Sequence, residues 1–110
     1  MTQNRLHDFA DIIQVAQAEI QKNHPNLNPL ISLSSHLREH GFASDIITID
    51  EPSSKKRIMM LLHDDKPSRV EYQLGLMDVD PLMEFVEVDQ ASLTAQALYL
   101  LIESHFSYAQ

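Results

Sequence analysis

The apolar positions of this chain change period twice, from helical to alternating and back to helical. Leu6, Phe9, Ile13, Ala16 and Ile20 recur at three- and four-residue spacing, with Asp8, Asp11, Gln14, Gln17 and Gln21 elsewhere. That spacing predicts an amphipathic helix over residues 5–22. His24-Pro25 ends it, because the residue ahead of a proline is pushed out of helical geometry. Asn28-Pro29 opens a second predicted helix, since Asn is a strong N-cap and Pro loses nothing at the first helical position. Leu30, Leu33 and Leu37 share its stripe. Gly41 is the expected stop, able to take the left-handed conformation, with Phe42 folding back as its hydrophobic contact.

From Asp45 the period becomes that of a strand. Ile47 and Ile49 predict a short strand closed by Pro52, Ser53 and Ser54. Ile58 to Leu62 is a continuous apolar run within Arg57–His63, and the turn-rich Asp64–Ser68 then connects a hairpin. The next strand is one-sided: Val70, Tyr72, Leu74 and Leu76 face in, and Arg69, Glu71, Gln73 and Gly75 face out. Asp78-Val79-Asp80-Pro81 reads as a turn and Leu82–Val88 as a fourth strand. Asp89 or Ser92 caps a final helix to about Phe106, apolar nearly all round at Ala97–Ile102.

The expected fold is a single α+β domain over residues 1–110, in the order ααββββα: two N-terminal helices, a four-stranded antiparallel meander and a C-terminal helix. The strand Arg57–His63 is apolar on both faces, with Ile58, Met60 and Leu62 on one and Met59 and Leu61 on the other. Helices must cover both faces, or the outer one meets a partner.

Composition narrows the function. The chain has 110 residues, 44% hydrophobic and 22% charged, as an ordinary globular protein does. Its formal net charge is −8, and past Arg69 there is no Lys or Arg. Glu71, Asp78, Asp80, Glu84, Glu87, Asp89 and Glu103 follow, while Lys55, Lys56, Arg57, Lys66 and Arg69 stand just before. A net-acidic chain is a poor nucleic-acid binder, because affinity for phosphates comes from Lys and Arg. The absence of cysteine excludes thiolate chemistry, and two glycines leave no phosphate-cradling loop. Met1 to Phe9 is polar and unlike a signal peptide, and no apolar run approaches the ~20 residues of a membrane span. A cytoplasmic protein is expected.

Candidate chemistry is sparse. His36-Leu37-Arg38-Glu39-His40 matches the H-x-x-E-H pattern of inverted-motif zinc peptidases, in which two histidines share a zinc and the carboxylate activates its water. Glu103 is the one acid on a later helix to serve as third ligand, and His40 beside Gly41 also fits a helix end, where the dipole favours histidine. His63-Asp64-Asp65 offers a base with an orienting carboxylate, although Asp is equally a turn former; the pair resembles the signature dipeptide of the all-helical HD phosphohydrolases, but its period here is that of a strand. Asp78-Val79-Asp80 fails as a calcium loop, with Met83 where Gly is needed. No Ser-His-Asp arrangement is visible. Met59, Met60, Met77 and Met83 offer adaptable apolar surface.

These patterns point to a small acidic non-enzymatic interaction protein, with no catalytic residue, metal or cofactor expected. It would be an adaptor, a secretion-type chaperone, or an inhibitor or immunity protein. Small acidic α+β dimers that chaperone secreted effectors are similar in general plan, although their helix–strand order differs. Docking would use Met59 and Leu61 on the outer sheet face, or Leu98, Leu101 and Ile102 on the last helix, with Glu84, Glu87 and Asp89 steering a basic partner. Homodimerisation follows from the same excess of apolar surface. The alternatives are a metal-dependent hydrolase using His36 and His40 or His63 and Asp64, and an acidic nucleic-acid mimic.

Overall fold

Ile47, Ile49, Ile58, Met60, Leu62 and Val70 are each at most 2% exposed, and they alternate along three neighbouring strands. They form the floor of a core whose roof is two helices. The computed structural model describes residues 2–79 and 84–107. The elements are α1 (Thr2–Asn23), β1 (Leu30–Ser34), α2 (His36–Glu39), β2 (Ser44–Glu51), β3 (Lys56–His63), β4 (Arg69–Leu76), β5 (Val86–Asp89) and α3 (Ala95–Phe106). The five strands follow sequence order in one antiparallel sheet, so the molecule is an α+β domain built on a meander.

Both long helices lie on the same face. Leu6, Phe9, Ile13, Ala16 and Ile20 of α1 and Leu98, Ile102 and Phe106 of α3 join the inward residues of β2, β3 and β4 in one buried cluster. The register explains the coherence: Ile47 stands opposite Met60, and Met60 opposite Tyr72, so each inward row crosses the sheet. Thr94 caps α3, its Oγ1 accepting the Ala97 N–H at 3.1 Å, beyond both of the expected caps, Asp89 and Ser92. No helix among the described residues is long and apolar enough to cross a membrane.

Residues 28–40 depart from expectation. The second predicted helix is replaced by β1 and the single turn α2, giving five strands where four were expected and one long N-terminal helix where two were. Leu30, Leu33 and Leu37 fit a helical stripe, but Ile31 and Leu33 also alternate, and pairing decides between the two periods. As a strand, residues 30–34 satisfy the backbone of β2 with Ile31 opposite Ile49 and Leu33 opposite Ile47. As a helix they would leave buried β2 with an unpaired edge. The stop at Gly41 nevertheless holds. Gly41 takes φ +88°, its N–H bonds the Arg38 carbonyl at 3.2 Å, and the Phe42 N–H reaches the Leu37 carbonyl at 3.0 Å. The Phe42 side chain stays 60% exposed and makes no hydrophobic closure.

Of the predicted strand Leu82–Val88, residues 82 and 83 lie outside the described residues, as do Asp80 and Pro81 of the turn before it; β5 begins at Val86. Leu98 and Ile102, expected as partner contacts, are fully buried in the chain's own core, Leu101 is half-buried, and Leu100 is 54% exposed. Ile102→Ala is therefore expected to destabilise by about 2–5 kcal/mol, through lost burial and the cavity it leaves. Leu100→Ala should stay within about 0.5 kcal/mol. Chemical denaturation of both variants checks this, and equal losses would contradict the placement of α3.

Candidate functional site

The face of the sheet away from the helices is organised in rows. Ile46, Leu61, Glu71 and Glu87 line up across β2 to β5, and Thr48, Met59 and Gln73 form the next row. Asp50 and Arg57 follow, joined by a bidentate pair at 2.7 and 3.0 Å. Ile46, Met59 and Leu61 are partly exposed and form a short apolar strip between charged bands. Successive strand residues point to opposite faces, so the α1–α3 layer that buries Ile58, Met60 and Leu62 cannot reach this strip. The single turn α2 sits at the end of the sheet, where Arg38 grips Asp45.

The separation of charge along the sequence disappears in the fold. The β3–β4 hairpin turns its basic residues onto the acidic strands that follow. Lys66 Nζ lies 3.1 Å from Glu87 and 3.8 Å from Glu71, and Arg69 bonds Glu87 at 2.9 Å and Asp89 at 2.5 Å. Lys55 meets Asp78 at 3.1 Å, and Glu103 lies 2.8 Å from His24. Hydrogen bonds from Lys66 and Arg69 hold the Glu87 carboxyl below its ordinary range. Of the expected steering acids, Glu87 and Asp89 are thus already answered, while Glu84 is exposed and its backbone carbonyl accepts from Gln73 Nε2 at 2.9 Å. A phosphate mimic calls for a run of unanswered carboxylates; Asp50, Glu71, Glu87 and Asp89 each face a cation.

Two arginines fasten the hairpin end. Arg38 Nε and Nη2 donate to Asp45 at 2.8 and 2.9 Å, while Nη1 and Nη2 donate to Asp64 at 2.9 and 2.8 Å. Arg5, from the first turns of α1, donates to the carbonyls of His63, Lys66 and Arg69 at 2.9, 3.3 and 2.6 Å. Asp64 therefore orients Arg38, not His63. The imidazole of His63 joins a different row, with Nδ1 2.6 Å from Ser44 Oγ and Nε2 3.3 Å from Glu71 Oε1. The sequence hid this Ser44–His63–Glu71 row, because only the strand register brings the three residues together.

A serine, an imidazole and a carboxylate in line can in principle relay a proton. Acyl transfer also needs an open nucleophile and oxyanion donors. Ser44 is 5% exposed, and its own N–H is committed to the Phe42 carbonyl at 2.9 Å. Its geometry is that of a cross-strand hydrogen-bond ladder. His36 and His40 face each other with Nε2 atoms 3.1 Å apart, both exposed, and Glu39 approaches the far nitrogen, Nδ1 of His36, at 3.7 Å. Glu103 is engaged with His24 and Tyr99. Among the described residues no group of three or more His, Asp or Glu is placed to hold a metal. A groove between α1 and α3, lined by Val15, Glu19, Asn23, Ala95, Gln96 and Tyr99, offers one carboxylate and no histidine.

No protein-family model matches this chain, and no curated protein or solved structure is significantly similar to it. What points to its function is its own surface.

Hydrogen bonds from Arg38 hold both Asp45 and Asp64 below the ordinary carboxylate range. A depressed folded pKa contributes stability that is present above the unfolded value and lost as pH falls through the folded one. Arg38→Ala should cost about 3 kcal/mol at neutral pH, because it leaves the buried Asp45 without its cation. The gap between variant and parent should narrow as pH drops below about 4, the ordinary aspartate value. Urea midpoints measured from neutral to acid pH check this, and a gap indifferent to pH would contradict it.

Proposed function

We propose that this protein is a small non-enzymatic interaction module, of the adaptor, secretion-type chaperone or inhibitor kind, that docks one protein partner on the outer face of its sheet. One observation carries the reading: both helices occupy the same face, leaving Ile46, Met59 and Leu61 as an apolar strip on the other. Antiparallel sheets that face water alternate apolar and polar residues. β3 breaks that alternation at Met59 and Leu61, and β2 breaks it at Ile46 beside Leu61.

The rim supports selectivity more than attraction. Asp50, Glu71, Glu87 and Asp89 are locally balanced by Arg57, Lys66 and Arg69, so the sheet face is close to neutral. The net charge of −8 arises largely elsewhere, including the exposed Asp8, Asp11 and Glu19 of α1 and the loop residues Asp65 and Glu84. A field of that sign speeds encounter with a basic partner and weakens with salt, while the apolar strip fixes it in place.

Leu61→Lys tests the reading with little cost to the fold, since the new ammonium stands opposite Glu71. Affinity capture from the native host is expected to enrich a basic protein with the parent chain and with Leu100→Lys, and to lose it with Leu61→Lys. Capture that survives Leu61→Lys and Met59→Lys alike would reject the outer face as the docking surface.

A further inference from the structure

The two edges of the sheet are built differently. β5 has four residues, and two of them, Glu87 and Asp89, are tied to Arg69. Charge on a short edge blocks further pairing, and a second copy of this edge would bring carboxylates onto carboxylates. β1 has no such guard. Leu30–Ser34 contains no charged residue and no proline, and its register with β2 runs unbroken from Leu30 opposite Asp50 to Ser34 opposite Ile46. Among the described residues, no backbone group of Leu30–Ser34 bonds outside β2. Leu30 and Leu33, one on each face, are 47% and 41% exposed.

From this we propose that β1 is a dimerisation edge, along which two copies of the chain pair antiparallel about a two-fold axis through Ser32. Antiparallel pairing of a strand with its own copy requires an axis normal to the sheet. Residues brought opposite must share a face, so the axis passes through a residue and not between two. Centring it on Ser32 pairs the whole strand: Leu30 with Ser34, Ile31 with Leu33, and Ser32 with Ser32. The two sheets become continuous, with both helical layers on one side and both outer faces on the other.

Packing and charge favour a second copy as the occupant. The exposed Leu33 comes beside Ile31 of the other copy, which is already packed against its own core. α1 is tied to the chain just ahead of β1, where Gln17 Nε2 donates to the Pro29 carbonyl and Gln21 bonds Asn28. The two-fold axis therefore sets these two points of attachment at opposite ends of the joined strands. Two chains of charge −8 repel, so their contact belongs on surface without acids. The five residues of β1 provide it. This pairing leaves Met59 and Leu61 free and does not depend on the docking reading.

Ser32 is exposed and its side chain points away from the core, so charge placed there tests pairing without disturbing folding. Sedimentation equilibrium across the micromolar range is expected to show a monomer–dimer equilibrium for the parent chain. Ser32→Asp and Ser32→Lys should each weaken the dimer by about tenfold or more, because the axis sets each charge against itself. An equimolar mixture of the two should restore association, as unlike charges then meet. Leu61→Lys should leave the dimer unchanged. A parent chain monomeric throughout the range, a dimer indifferent to Ser32→Asp, or a mixture of the two variants that stays monomeric would each overturn the proposal.

Discussion

An antiparallel sheet roofed on one side only must make peace with water on the other, and the rest of this protein follows from how it does so. The roof covers the middle of the sheet: α1 and α3 bury Ile47, Ile49, Ile58, Met60, Leu62 and Val70 under Phe9, Ile13, Ile20, Leu98, Ile102 and Phe106, while Leu33 and Leu74 on the same face stay exposed. The outer face is mostly solvated in the ordinary way, with Thr48, Asp50, Arg57, Glu71 and Gln73 pointing out. Three apolar side chains interrupt it at adjacent positions on β2 and β3. Burying a Leu or Met side chain is favourable by about 1.5–3 kcal/mol. The proposed docking would draw its driving force from burying that strip.

Charge is arranged to leave that strip clean. A linear reading gives a basic stretch and an acidic tail, which suggests a molecule with two electrical poles. The meander folds one onto the other, so that Arg69 of β4 lies beside Glu87 and Asp89 of β5, and Lys66 of the hairpin turn joins them. Individually such surface pairs contribute little to stability. Their effect is to remove local field from the sheet and leave the acidity on α1 and the loops. Arg38 differs, because it holds the nearly buried Asp45 together with Asp64 and so locks α2, the start of β2 and the hairpin end into one unit.

Much of this is legible in the sequence, and the failures have identifiable physical causes. The one-faced pattern of α1 and the hairpin over Asp64–Ser68 need only local periodicity. Of the residues expected to face inward on β4, Val70 is buried and Tyr72 packs against the core, while Leu74 and Leu76 share that face but lie beyond the helices and stay exposed. Residues 28–40 do not yield, because Leu30, Leu33 and Leu37 satisfy two periods at once; a tertiary fact, the unpaired edge of β2, decides for the strand. The cap of α3 moves to Thr94 for a similar reason: Gln90–Ser92 first makes a short 3-10 turn that carries Leu93 into the core. Apolarity around α3 suggests surplus surface, but a helix wedged between a sheet and another helix has two sides to bury. The Ser44–His63–Glu71 row spans three strands and carries no local signature. Met59 and Leu61, by contrast, are visible as a break in alternation, and they stand on the face where that break places them.

The one-sided roof can be tested at a single pair of neighbours. Met59 and Met60 are adjacent in sequence, yet the second is fully buried and the first lies on the bare face. With methyl-labelled methionine and a soluble paramagnetic agent, NMR reads the exposure of both at once. Strong broadening of the Met59 methyl beside a sharp Met60 signal is the expected result. Equal protection of the two would mean that part of the chain covers the outer face, and would contradict a sheet roofed on one side only.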